Sequence, residues 1–184
     1  MKKVNTKNIT TAAMLIALGL VLPFLTGQIP LIGSMLLPLH LPVFLCGLIC
    51  GWKYGLFVGL VLPVLRSLLF GMPPMYPTAT AMAFELATYG AVSGAIYHYE
   101  GYFCIRSLYR TLIAAMLSGR LVWGGAMIVL LGVQGNAFGW AAFMSGAFLN
   151  AIPGIVLQLL LIPALMLALH KTKLLTVSEC RSKT

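Results

Sequence analysis

Arg66, Glu85 and Arg120 lie inside long apolar stretches of this chain of 184 residues. An ionised side chain near the centre of a membrane helix costs at least about 2.5–3.5 kcal/mol on insertion scales, so such residues face a polar interior or pair with one another. One glutamate for two arginines predicts a buried Arg–Glu pair and a second guanidinium with no acid. The planar fork of a guanidinium takes a carboxylate bidentately. The chemistry expected is therefore capture of an anionic group, and either arginine could be the one that Glu85 holds. His40, Tyr89, Trp123, Asn150 and Gln158 fall at similar depths, and Asn136 lies in a neighbouring loop. Together they sketch a mixed polar and aromatic pocket for a small polar molecule.

The elements that must position these residues are membrane helices. Apolar residues make up 60% of the chain and charged ones 8%, with mean hydropathy +0.99; a soluble domain carries roughly 25% charged residues. Six apolar blocks are legible: Ile9–Leu25, Pro38–Cys50, Tyr54–Phe70, Thr78–Tyr97, Thr111–Leu131 and Phe143–Leu169. Stretches of about 18 residues or more span a bilayer as a helix. The second block is the shortest, because Pro30, Pro38 and Pro42 interrupt its approach and proline ends or kinks helices. The first block continues through Pro23 without an A-x-A-like cleavage site and reads as a mature span.

The net charge of +9 is explained by topology and calls for no nucleic-acid partner. Lys2, Lys3, Lys7, Lys53, Arg106, Arg110, Lys171, Lys173, Arg181 and Lys183 are ten of the twelve basic residues, and in a six-span arrangement all ten fall on one side. The positive-inside rule makes that side cytoplasmic. The expectation is an all-α integral membrane protein: one domain over residues 1–184, six transmembrane helices in a compact bundle, and both termini cytoplasmic. Residues 1–8 form a leader and residues 171–184 a basic tail. Counting 1.5 Å per residue, Arg66 lies roughly 20 Å outward of the inner surface, Glu85 roughly 10 Å below the outer end of its span, and Arg120 near the midplane.

The outer loops 26–39, 71–77 and 132–142 carry no acid or base but are rich in Gly, Pro and aromatic residues. They read either as short connectors or as a lid over an outward-facing pocket. Gly47, Gly51, Gly55 and Gly59 recur every four residues, as do Gly90 and Gly94 and the pair Ala13 and Ala17; small residues at this spacing let helices approach closely. Cys46 and Cys50 are packing residues one helical turn apart, and with Cys104 and Cys180 they form neither a disulfide nor a metal framework. Glu85 is the one acid of three within a span. No Ser–His pair, acid dyad or H-E-x-x-H motif occurs there, which argues against an intramembrane enzyme. No metal or cofactor is expected.

The basic leader, the Ala13-x-x-x-Ala17 spacing in span one, six spans in about 180 residues, and the run from His40-Leu41-Pro42 through Gly47 to Gly51 resemble the substrate-binding S components of energy-coupling factor (ECF) vitamin transporters. The resemblance covers nearly the whole chain. It implies capture of a water-soluble vitamin at the outer face of a bacterial plasma membrane, and docking through Ala13 and Ala17 onto a transmembrane coupling subunit driven by two ATPases. The energy must be borrowed, because the chain has no G-x-x-x-x-G-K-[ST] phosphate loop. Intramembrane positive charge puts pantothenate first, with cobalamin, pyridoxine and folate open. The alternative is a self-sufficient small transporter or channel for an organic anion, for which the internal repeats usual in secondary transporters are not evident.

Overall fold

The structure, a computed structural model, describes residues 6–25, 37–100, 102–103, 105–133, 151–171 and 178–179. Within them run six α-helices, α1 (Thr6–Leu25), α2 (His40–Cys50), α3 (Trp52–Phe70), α4 (Thr80–Glu100), α5 (Ile105–Val133) and α6 (Ile152–Lys171), and a π-helical turn, Met75–Ala79, leads into α4. A two-residue strand, β1 (Tyr102–Phe103), pairs in parallel with β2 (Ser178–Glu179).

Four of the helices, α1, α3, α5 and α6, are long and apolar enough to cross a membrane. The two that fall short do so for different reasons. At 11 residues, α2 has an axial length of about 16 Å, half of a bilayer core. By contrast α4 has 21 residues, but Glu85, three tyrosines, Thr88 and Ser93 dilute its apolar content. It compensates by position, packing against α2, α3 and α5, so Glu85, Tyr89, Ser93 and Tyr97 are buried against protein, while Tyr99 near its end is exposed. Burial against protein is the arrangement in which intramembrane polar groups persist. The described part of the last apolar block begins at Ala151, later than the expected Phe143, and residues 134–150 lie outside the described residues.

Glycine decides how closely α3 and α4 pack. A Cβ placed on Gly90 would stand 2.2 Å from the Gly55 carbonyl oxygen, and one on Gly59 would stand 2.3 Å from the Leu86 carbonyl oxygen. Backbone therefore lies on backbone along this seam, as the four-residue glycine spacing predicts. The sharp reversal between α2 and α3 turns on Gly51 at φ 95°, a region that glycine occupies without steric cost.

Both ends of the bundle are tied together by side chains. At one end the Asn8 amide donates to the Cys50 carbonyl at 3.4 Å, Gly51 approaches His98, and β1 pairs with β2. The start of α1, the α2–α3 turn, β1 and β2 thus share this end, and Lys7, Lys53, Arg106 and Arg110 lie in the adjoining turns of α1, α3 and α5. At the other end Phe24 meets Phe70 edge-to-face at 5.0 Å. There too the Gln158 amide donates to the Leu37 carbonyl at 3.5 Å, and the Tyr76 hydroxyl of the 71–77 loop donates to the Leu130 carbonyl. That contact fastens the loop to the end of α5.

Candidate ligand-binding site

Glu85 sits on the second turn of α4 and faces the interior, 1% exposed. Tyr89 follows it by four residues, the spacing that stacks two side chains on one helical face, and its hydroxyl donates to Glu85 Oε1 at 2.8 Å. Arg120, near the middle of α5, brings Nη1 to the same oxygen at 2.9 Å. His40, the first residue of α2, places Nε2 at 3.7 Å from it, too far for a hydrogen bond. Three helices thus converge on a single carboxylate oxygen, and Arg120 is the arginine that pairs with Glu85.

Two residues that the sequence did not single out build the seat for this cluster. The Tyr89 ring stacks on Phe44 of α2 at 5.0 Å with an interplanar angle of 21°. The ring also lies 5.2 Å from that of His40 and rests against Gly119, where a Cβ would fall 2.2 Å from it. The absence of a side chain at Gly119 is therefore what lets the ring lie against α5 and aim its hydroxyl at Glu85. A glycine beside an arginine carries no periodic signal that would have pointed to this role.

The cluster is incompletely satisfied. Nε and Nη2 of Arg120, and both ring nitrogens of His40, are buried and have no hydrogen-bond partner among the described residues. Buried polar atoms are paired in the great majority of cases, and an unpaired one needs an explanation. The Nε–Nη2 edge is the half of a guanidinium that receives a planar pair of acceptors such as a carboxylate.

Arg66 is placed elsewhere. It is buried on α3, where its Nη1 donates to the Leu20 carbonyl of α1 at 3.1 Å. Its guanidinium lies 5.8 Å from the ring centroid of Phe24 and 5.5 Å from that of Phe70. A hydrogen bond to a charged donor is worth about 1.5–3 kcal/mol, and a cation–π contact about 0.5–1 kcal/mol or more when desolvated. Together they offset part of an insertion cost of at least about 2.5–3.5 kcal/mol. The carbonyl-rich C-terminal ends of α1 and α3 are also the negative ends of their dipoles. Arg66 is thus partnered without an acid, so its charge alone does not call for a ligand.

The remaining candidates divide as follows. Trp123 lies one turn beyond Arg120 on α5 and is half-buried. Gln158 is buried, 3% exposed, and reaches the Leu37 carbonyl that also accepts the His40 N–H at 3.1 Å; it is thereby tied to the segment that opens α2. Asn136 and Asn150 lie outside the described residues. Ala13 and Ala17 are exposed on α1, while Ala12, Leu15 and Gly19 on its other face are buried.

No curated protein and no solved structure matches the chain. One family model does match, the substrate-specific component of ECF transporters, and it covers residues 7–166. The chain belongs to the family of ECF transporter substrate-specific components.

Proposed function

We propose that this protein captures a water-soluble vitamin at the outer face of a bacterial plasma membrane and delivers it inward as the S component of an ECF-type ABC importer. The reading is of a single membrane domain with six spans and both termini in the cytoplasm. Its ligand is held at the cluster of His40, Glu85, Tyr89 and Arg120, with Trp123, Asn136 and Asn150 contributing to the surround. Ala13 and Ala17 on the exposed face of α1 dock on a transmembrane coupling subunit, and two partner ATPases supply the energy. The chain itself is not an enzyme.

The observation that carries the ligand site is the open Nε–Nη2 edge of Arg120. Its Nη1 is already committed to Glu85, so the guanidinium is held in place while the nitrogens that carry three of its five N–H donors are buried without a partner among the described residues. A ligand carboxylate would satisfy them bidentately. Pantothenate, which bears a carboxylate and several hydrogen-bonding groups, fits this edge best. Cobalamin, pyridoxine and folate follow it.

Mass spectrometry of small molecules released from the purified protein tests the reading. Recovery of one vitamin near one-to-one supports it and names the ligand. A protein that is empty and shows no thermal shift with pantothenate, cobalamin, pyridoxine or folate turns the assignment toward a lone transporter of small anions.

A further inference from the structure

Arg66 has the burial expected of a functional intramembrane charge, yet its contacts lead to α1 and to one ring of its own helix. It donates to the Leu20 carbonyl and lies against Phe24 of α1 and Phe70 of its own helix. Those two rings are 44% and 40% exposed and pack edge-to-face over it. They form an aromatic cover between the guanidinium and the surroundings of the bundle. We propose that Arg66 is a positioning residue that locks the rotational setting of α1, and with it the face that presents Ala13 and Ala17; this rests on the reading of α1 as the docking helix.

The geometry of α1 explains why a lock is needed at this point. Pro23 has no N–H to give to the Gly19 carbonyl, so the outer end of α1 lacks a rung of its own ladder. Ala13, Ala17 and Phe24 lie at i, i+4 and i+11, on one side of the helix. A grip on the Phe24 ring and the adjacent Leu20 carbonyl therefore sets the direction in which Ala13 and Ala17 point. The opposite side is seated by Gly19, where a Cβ would meet Leu62 at 2.6 Å. The inner end is tied by Asn8 to Cys50. Nothing in this arrangement reaches the Arg120–Glu85 cluster, so docking and ligand capture should separate on substitution.

The test uses the full-length chain in lipid nanodiscs, with Arg66→Gln and, as a variant that keeps the charge, Phe24→Leu combined with Phe70→Leu. Amide hydrogen exchange of residues 17–24 is read by mass spectrometry, and pantothenate is the binding probe. Capture of the coupling subunit and its ATPases is read after co-expression. The lock predicts exchange at least about tenfold faster in α1 in both variants, loss of captured partner, and pantothenate affinity unchanged. Unchanged exchange in α1 overturns the lock even if Arg66→Gln folds poorly, because the aromatic double variant gives the same readout independently. A fall in pantothenate affinity without faster exchange also overturns it and returns Arg66 to the ligand site. If the unsubstituted protein neither binds pantothenate nor captures a partner, the transport reading fails on its own, and exchange in α1 still decides whether Arg66 holds the helix.

Discussion

Tyr89 and Arg120 meet on one atom: the Tyr89 hydroxyl and Arg120 Nη1 both donate to Glu85 Oε1, at 2.8 and 2.9 Å. One oxygen therefore links adjacent turns of α4 to the centre of α5, and each donor limits how far the others can move. A carboxylate held by two donors keeps the arginine in a fixed orientation, with its remaining edge aimed into the interior.

Removing Arg120 should separate binding from stability only if the acid is removed with it. Arg120→Ala leaves Glu85 as a buried charge with one strong donor, and breaking such a pair costs about 3–5 kcal/mol. Arg120→Ala together with Glu85→Gln is expected to recover most of the thermal stability while ligand affinity stays at least about tenfold weaker, a loss of ~1.4 kcal/mol. Thermal unfolding and ligand titration of the single and double variants check both halves; recovered affinity in the double variant would remove Arg120 from the site.

Gly119→Ala should act through Tyr89. The added methyl falls within 2.2 Å of the ring, and overpacking of this kind costs about 1–3 kcal/mol. Tyr89→Phe removes a hydrogen bond to a charged acceptor, worth about 1.5–3 kcal/mol. Because both changes disturb the same contact, their effects on melting temperature should be less than additive. Additive losses would mean that the two residues act separately.

The α3–α4 seam should not accept side chains. Gly90→Ala and Gly55→Ala each push a methyl into facing backbone, where no rotamer change relieves the clash, and a marked fall in folded yield is expected. Gly125→Ala is the control, since nothing lies within 4 Å of its Cβ position. Size-exclusion profiles of the three variants decide this.

Ala13→Trp and Ala17→Trp should abolish uptake and leave ligand binding intact, because both positions are exposed on α1 and a bulky side chain there blocks close approach of another helix. Binding lost in parallel with uptake would show that α1 supports the ligand site instead.

The positions of the helices and the local pairings were legible in the sequence. Apolar run length marks α1, α3, α5 and α6, and the four-residue spacing of Glu85 and Tyr89 places both on one face of α4 whatever the fold. The glycine repeats likewise marked where helices approach. What the sequence could not contain was how each helix is turned about its axis relative to its neighbours. Arg66 and Arg120 are the same in chemistry and both lie within spans, yet only the side chain of Arg120 reaches Glu85, while α3 turns Arg66 toward α1. His40, 45 positions before Glu85, joins the cluster because α2 packs on α4, and Gly119 matters only because the Tyr89 ring rests against it. A periodic apolar pattern limits which face is buried; it does not say which neighbour covers it. Tertiary packing therefore decided which of two equal charges is paired at the site and which secures a helix.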